Sequence, residues 1–281
     1  MRSAEEHVAS QSDYYIHMPS RQAQETFLYP TQCGRFVYLP GYCLTRESFD
    51  SFLVMYIQSG ALTLTFEGRT RSVTAGSFVL LDCYKLHAYS TTTGWECIWC
   101  HFDGAVARGY YNAVTGRLGN VFTLADEYPA LWKLNMILEA LRSGAPVREP
   151  LLAKYLTDLL THFLLSSPST AGDADHSLIA EQITAYIAEH FSEDLTVEAL
   201  AARANMSLYH FIRIFRRETG FTPHEYILNT RIATAKYLLK NTRLSVKSIC
   251  YFTGFSSESV FCGAFKRAAG LTPGQYRTRE G

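Results

Sequence analysis

The chain has 281 residues, with 26 basic and 26 acidic side chains, 47% hydrophobic and 19% charged residues, and seven cysteines. This composition is typical of a folded globular protein and excludes the disordered and fibrous classes. No apolar run approaches the roughly 20 residues of a membrane span, the polar N-terminus has no signal-peptide core, and the cysteine count is odd. A cytoplasmic protein without membrane partners or a disulfide framework is therefore expected.

Charge is unevenly distributed along the chain. Residues 1–177 carry 13 basic and 17 acidic side chains, whereas residues 178–281 carry 13 basic and 9 acidic ones. A basic C-terminal part is a weak indication of polyanion binding at that end, because many structural domains carry a similar charge.

The region from about Phe36 to Phe102 is predicted to consist of short β-strands. Leu62, Leu64 and Phe66 alternate with polar residues, which is the period-two pattern of a half-buried strand. Turn signals separate the strands at Ser59-Gly60, Glu67-Gly68 and Ala75-Gly76. Many short strands at this spacing predict an antiparallel sandwich or small barrel.

Helical spacing replaces the strand pattern from about Tyr128. Apolar residues recur every three or four positions from 131 to 141 and again, after Pro150, from 151 to 160. Two amphipathic helices in this place would either cap the open end of the barrel or form a dimer surface. Residues 1–165 are therefore assigned to one domain, and the Ser-, Ala-, Asp- and Gly-containing segment 166–177 to a linker.

Residues 178–281 are predicted to be helical throughout and contain an internal repeat. Copies beginning at Leu195 and Leu244 each have a short helix, a turn, a Ser-led second helix, a Thr-Pro pair and a further helix. Duplicated helix–turn–helix units are the simplest account. The expected fold class is α+β with two domains, an N-terminal antiparallel β-barrel with two following helices and a C-terminal all-α double helix–turn–helix.

The first repeat has the local signals of a helix–turn–helix. Thr196 and Ser207 are predicted N-caps, and Asn205 lies where the turn needs a left-handed residue. One face of the second helix is predicted to be core, with Leu208, Phe211, Ile214 and Phe215. Tyr209, Arg213 and Arg216 project from another face and form a cationic ridge of the size that enters a major groove.

In the second repeat, Gly254 takes the turn position and Ser257 the cap. The inward positions are Phe261, Ala264 and Phe265, and the outward positions are Glu258, Ser259 and Cys262. Between the repeats, residues 223–241 are predicted to form one long helix. This helix would hold the two recognition helices about one DNA turn (~34 Å) apart.

The C-terminal region also carries a specific set of spaced residues. They are the run from Arg231 to Leu239, Ile249, Gly254, Phe255, Phe261, Phe265, Lys266, Gly270, Thr272, Pro273 and Tyr276. This pattern resembles the C-terminal signature of the AraC/XylS transcription regulators. The barrel with its two helices resembles the cupin-like sensor domain of the sugar-responsive branch of that family.

The resemblance implies that the two recognition helices occupy successive major grooves of double-stranded DNA. By position, Tyr209, Ile212 and Arg213 match base-contacting sites of the family, with Arg213 suited to guanine and Ile212 to a thymine methyl. Arg216 belongs to the same cationic ridge.

Glu258, Ser259 and Cys262 match the family's base-contacting sites in the second unit. Gly263 stands where the family commonly has arginine, so weaker sequence recognition by this unit is expected. Glu258 could accept from a cytosine amino group or be a solvated helix cap, and Lys266 could contact phosphate or water.

The N-terminal region lacks the metal ligands of cupin enzymes. The strand before Gly60 has no histidine, and His87 stands alone in the stretch that resembles the second cupin motif, so no metal, no cofactor and no enzymatic activity are expected. The spacing of Cys97, Cys100 and His101 matches a c-type haem motif. On a strand, however, the two cysteines point to opposite faces, which argues against haem.

The same strand predicts a ligand cavity. Trp95, Cys97 and Trp99 share one face. The resemblance to arabinose-responsive regulators implies ligand contacts from Arg46, Tyr89 and Trp99, with Cys97 where those relatives have histidine, so the ligand should differ from arabinose. Trp99 could equally be barrel core.

Together these features predict a ligand-responsive transcription regulator that senses a small polar molecule, of saccharide class. Residues 128–165 are expected to mediate a homodimer, family grounds favour activation, and contact with RNA polymerase is left open. Two alternatives remain, a metal-dependent cupin enzyme fused to a DNA-binding tail and a ligand-free regulator whose barrel only dimerises.

Overall fold

The computed structural model describes residues 5–166 and 174–278. The chain forms two compact units, Met1–Ala171 and Gly172–Gly281. The first is built on an antiparallel β-sheet and the second is helical, so the predicted α+β class is confirmed.

The described part of the first unit contains nine strands and four helices. In chain order they are β1 Asp13–Ile16, α1 Arg21–Thr26, β2 Leu28–Tyr38, β3 Cys43–Arg46, β4 Phe52–Phe66, β5 Arg69–Thr74, β6 Phe78–Asp82, β7 His87–Ser90, β8 Trp95–Gly104, α2 Ala107–Leu118, β9 Val121–Phe122, α3 Tyr128–Arg142 and α4 Glu149–Leu165. The strand region is longer than the sequence indicates, since it begins at Asp13. Most of strand β2 was not predicted because Pro30 and Gly34 interrupt its strand pattern. Strand β1 was not predicted because it is a short, half-exposed edge strand.

The long strand β4 joins two layers of antiparallel sheet. Its first half pairs with β6 and β8, and its second half pairs with β5 and β7. The strand changes direction at a bulge between Ile57 and Ser59, followed by Gly60 at φ +75°. A Cβ at Gly60 would lie 2.3 Å from the carbonyl oxygen of Gly94, so only glycine fits this crossing.

Both faces of β8 are buried, because each faces a different core. Ile98, Cys100 and Phe102 pack towards α2, α3 and α4, whereas the side chains of Cys97 and Trp99 belong to the barrel core. The two cysteines of the haem-like motif therefore point to opposite sides of the sheet, as strand parity predicts. All seven cysteines are free thiols.

Three helices, not two, follow the barrel strands, so the sequence missed α2. That helix has two internal glycines and buries only Ala107, Tyr111 and Val114, which leaves a weak apolar period. Arg108 forms an ion pair with the buried Asp82 of β6 and anchors α2. The helices α3 and α4 pack on each other and on β2, across the outer sheet face.

The second unit contains seven helices in its described part. They are α5 Ala174–His190, α6 Val197–Arg203, α7 Leu208–Thr219, α8 Pro223–Asn241, α9 Val246–Phe252, α10 Glu258–Ala269 and α11 Pro273–Thr278. The long helix α8 supplies Ile227 to a core with α5, α6 and α7. It supplies Ile232 and Leu239 to a second core with α9, α10 and α11. Each repeat thus has its own core, and α8 joins them.

The turns and caps follow local sequence chemistry. Asn205 has φ +52° and Gly254 has φ +79°, the left-handed conformation that the turns require. The hydroxyls of Thr196 and Ser257 accept capping hydrogen bonds from backbone amides, while Ser207 occupies its N-cap position without one.

Helix α5 begins at Ala174, so residues 174–177 of the predicted linker are helical and its C-terminal boundary was wrong. The composition of 166–177 does not reveal this start, because eight of its twelve residues are Ser, Asp, Gly or Pro and only two are alanine. Residues 167–173 lie outside the described part of the chain, so the linker itself stays a prediction.

Candidate ligand cavity and DNA-binding surface

A cavity of about 480 Å³ lies inside the barrel, between the two sheet layers. Its polar and aromatic lining residues are Glu5, Tyr14, Gln32, Phe36, Tyr38, Tyr42, Arg46, Tyr89, Trp95, Trp99 and His101. Aromatic walls with a few polar groups are typical of small-molecule sites, and the volume falls in the usual range of about 300–1,000 Å³.

Trp99 has an indole face that no described aromatic ring covers by stacking. Its contacts with Phe36 and His101 are edge-on, at centroid distances of 5.3 and 5.6 Å. Trp95, in contrast, is stacked on Tyr38 at 4.0 Å. Of the two indoles in the cavity wall, Trp99 is therefore the better platform for a ligand ring.

Gly34 of β2 makes room for the Trp99 indole. The two residues are register partners across β2 and β8. A Cβ at Gly34 would lie 2.8 Å from Cζ2 of Trp99 and 2.5 Å from the carbonyl oxygen of Asp13. The glycine lets both the indole and strand β1 approach closely.

Arg46 and Tyr89 come from the paired strands β3 and β7. The Tyr89 hydroxyl is buried without a hydrogen-bond partner in the described structure, and burial raises the pKa of Tyr89 well above its usual value. The Arg46 guanidinium lies 5.0 Å over the Phe49 ring and lines the cavity. The Tyr89 hydroxyl and the Arg46 guanidinium could form directional hydrogen bonds with a ligand.

His101 is a neutral member of the cavity wall. Burial, with a smaller contribution from the charge of Arg46, lowers the pKa of His101 to about 3. Its Nδ1 atom shares a 2.8 Å hydrogen bond with the Ser51 hydroxyl. The imidazole is therefore fixed and uncharged at neutral pH.

The structure brings three of the four predicted ligand residues to the cavity, and Cys97 is the exception. Its side chain lies on the predicted face but is fully buried and does not line the cavity. Burial also raises the pKa of the Cys97 thiol to about 12. The short side chain does not reach past the larger side chains around it, so the assignment of Cys97 as a ligand contact is corrected.

Sequence reasoning missed several cavity residues. His101 continues the odd-numbered face of β8 that carries Trp95 and Trp99, so strand parity could have found it. Tyr42 and Glu5 come from a loop and the N-terminal segment, and no local pattern marks them.

In the first helix–turn–helix, the core and surface faces of α7 separate as the sequence indicates. Phe211, Ile214 and Phe215 are buried, and 86% of the Tyr209 surface is exposed. Arg213 and Arg216 are exposed and Ile212 is half-buried. The four predicted contacts of this helix are thus accessible, and their role towards DNA stays a prediction.

In the second helix–turn–helix, Glu258, Ser259 and Lys266 are exposed and Cys262 is half-buried. Gly263 has open space around it, since a Cβ there would meet only Nη1 of Arg267, at 3.5 Å. This surface of α10 is less cationic than that of α7.

Neither a metal cluster nor a membrane span was found in the parts of the chain that the structure describes. No group of three or more His, Cys, Asp or Glu side chains there could hold a metal ion. No helix within the same residues is long and apolar enough to cross a bilayer.

A barrel with an internal cavity and a double helix–turn–helix unit define a transcription regulator with a ligand-binding domain. Residues 29–160 match the family model "AraC-like ligand binding domain", and residues 200–279 match the model "Helix-turn-helix domain". The chain belongs to the AraC family of transcription regulators and is not an enzyme. Such regulators bind double-stranded DNA and small-molecule effectors.

Relatives of similar length support this assignment. The MmsAB operon regulatory protein of Pseudomonas aeruginosa is 29% identical, over 90% of this chain and 83% of the relative. The Msm operon regulatory protein of Streptococcus mutans is 27% identical, over 84% of this chain and 87% of the relative. The HTH-type transcriptional activator RhaS of Citrobacter koseri is 26% identical, over 85% of this chain and 89% of the relative.

Among solved structures, the DNA-binding domain of AdpA in complex with a target DNA is 37% identical. The match covers 35% of this chain and 88% of that one, with a TM-score of 0.34.

Proposed function

We propose that this regulator binds a small polar effector of saccharide class in the barrel cavity and thereby controls how residues 178–281 act on DNA. The observation that supports it is the cavity, whose wall presents the unstacked indole of Trp99 beside Tyr89 and Arg46. An indole packs against the apolar face of a pyranose, while a phenol and a guanidinium bond its oxygens.

The DNA contacts proposed for α7 and α10 follow from their exposed faces. Arg213 suits the O6 and N7 atoms of guanine, and Tyr209 and Ile212 flank it on α7. Arg216 and Lys266 suit phosphates. Since Gly263 offers no cation, Glu258, Ser259 and Cys262 would give α10 the weaker sequence preference.

Activation is the proposed sign of regulation, and the cytoplasm is the proposed compartment. The name of the RhaS relative, a transcriptional activator, supports the sign. If the protein is an activator, RNA polymerase would be a further partner that it contacts. The seven free thiols suit a reducing compartment.

The C-terminal unit is expected to bind DNA without the barrel. A fragment of residues 172–281 should bind duplex DNA with an affinity that falls as salt rises, by a slope of about −0.9 per phosphate contact. Fluorescence anisotropy over a salt series measures this slope. The variant Arg216→Ala should reduce its magnitude by roughly one unit on any sequence. A fragment that is folded by circular dichroism and has no DNA affinity at low salt would refute the proposal.

A homodimer through α3 and α4 is also proposed. The inner faces of these helices pack on the sheet, while Tyr128 and Trp132 remain 70% and 45% exposed and Leu151 38% exposed. The Trp132 ring contacts the Tyr155 ring across the two helices, so α3 and α4 share an aromatic contact at this surface.

The change Trp132→Glu is expected to shift the full chain towards monomer, because a carboxylate would be buried in an apolar interface. Sedimentation velocity measures the dimer fraction. The matched control is Leu39→Glu, which alters a 42% exposed apolar residue between β2 and β3. If Trp132→Glu and Leu39→Glu have the same dimer fraction, the dimer interface does not include Trp132.

A further inference from the structure

We propose that the effector carries a carboxylate and that Arg46 is its counter-ion. This inference rests on the proposed function, since it takes the barrel cavity as the effector site. Arg46 is half-buried in the cavity wall, and within the described residues its guanidinium makes neither a hydrogen bond nor an ion pair. Its close neighbour is the Phe49 ring, 5.0 Å away.

The titratable groups that face Arg46 do not neutralise its charge. They are Tyr42, Cys83, His87, Tyr89 and His101. Burial raises the pKa of the two tyrosines and the thiol and lowers the pKa of the two histidines, so all five are uncharged at neutral pH. The guanidinium is therefore a cation in a largely neutral wall.

Glu5 is the carboxylate among the lining residues that the structure describes, and it does not pair with Arg46. Its Oε2 atom accepts a hydrogen bond of 2.8 Å from the Tyr42 hydroxyl. No ion pair links the two charged residues, although both act on Tyr42. An anion from outside the described chain would therefore find Arg46 free to pair.

Other polar groups of the cavity-lining residues lack a hydrogen-bond partner within the described part of the chain, and they also favour a ligand that carries a hydrogen-bond acceptor. The indole Nε1 of Trp99 and the hydroxyl of Tyr89 are buried without partners in the described structure. An indole N–H can only donate, and an ionised carboxylate can only accept. A neutral sugar supplies no counter-charge to the half-buried guanidinium, whereas a carboxylate does.

A carboxylate also matches Arg46 in geometry. A guanidinium and a carboxylate form two parallel hydrogen bonds, which are shorter and stronger than bonds between neutral groups. The aromatic wall around Trp99 then contacts the carbon skeleton. The ligand class is a sugar acid or another small organic acid with an apolar face.

The test uses the full chain and pairs of probes that differ in one carboxylate. Suitable pairs are galacturonate with galactose, glucuronate with glucose, 3-hydroxybutyrate with butane-1,3-diol, and benzoate with benzyl alcohol. Tryptophan fluorescence and isothermal calorimetry measure binding. In at least one pair the acid is expected to bind about tenfold or more tightly than its neutral partner, because a charge-assisted bond to Arg46 is added.

Arg46→Gln should abolish that preference, and Arg46→Lys should retain part of it because the charge remains. Arg71→Gln, which removes an exposed arginine of β5 outside the cavity, should leave the preference unchanged. Circular dichroism melting verifies that each variant is folded.

The outcomes separate this inference from the proposed function. If neutral probes bind as tightly as the acids, or if the preference survives in Arg46→Gln, the inference is overturned and effector sensing stands. If no probe of any pair binds, the inference is overturned and the proposed sensing of a small polar effector fails with it.

Discussion

Replacing Trp99 with alanine is expected to abolish the response to the effector while DNA binding by the C-terminal unit persists. The indole lines the cavity, lacks a stacking partner among the described rings, and is given space by Gly34. Its removal would take away the platform on which a ligand ring rests. A transcriptional reporter measures the response, and anisotropy with duplex DNA measures DNA binding.

The same substitution also deletes a buried indole, so its effect on folding has to be separated. Loss of a buried large aromatic side chain costs about 3–5 kcal/mol of unfolding free energy. Phe102→Ala is the matched control, because Phe102 is a fully buried aromatic of the same strand that faces the helices instead of the cavity. Both variants should melt at lower temperature.

Effector affinity distinguishes the two roles. Below their melting temperatures, Phe102→Ala should retain effector binding and Trp99→Ala should lose it. Trp99→Phe, which keeps an aromatic face, should retain part of the response. If Trp99→Ala is destabilised like the control but responds to the effector normally, Trp99 is a packing residue. The effector then binds without the Trp99 indole, and its site lies elsewhere.

The features that the sequence predicts well are those set by local physical rules. Strand parity places Cys97 and Cys100 in different cores of the first unit. The conformations of Asn205 and Gly254 follow from which residues tolerate a positive φ. The long helix 223–241 has the predicted bounds, because Pro223 suits the first helical turn and its apolar residues keep the helical period.

The features that the sequence could not predict depend on contacts between distant segments. The helix α2 is held by the ion pair of Arg108 with Asp82, and its own apolar period is too weak to reveal it. The cavity gathers Glu5 from the N-terminal segment and Tyr42 from a loop, and no local pattern marks either residue. The alternation of side chains along β8 predicted the face of Cys97 correctly. Whether a side chain on that face reaches the cavity depends on the larger neighbours that cover it.

The change Arg213→Ala is expected to weaken binding to a specific operator by about 1–3 kcal/mol and to relax the preference at one base position. Arg213 is exposed on α7, on the face opposite the buried Phe211 and Phe215. A guanidinium there can bond both O6 and N7 of a guanine. The operator is first selected from random duplexes with the unaltered chain, and the selection is repeated with the variant.

Arg216→Ala is the charge-matched control for this test, because it removes one exposed cation from the same helix. A phosphate contact carries no sequence information, so the control should lose affinity equally on the selected operator and on random DNA. Arg213→Ala should lose more on the operator than on random DNA, and its selected motif should become degenerate at one position. Equal losses on both DNAs, with an unchanged motif, would show that Arg213 contacts phosphate and that another residue of α7 recognises the bases.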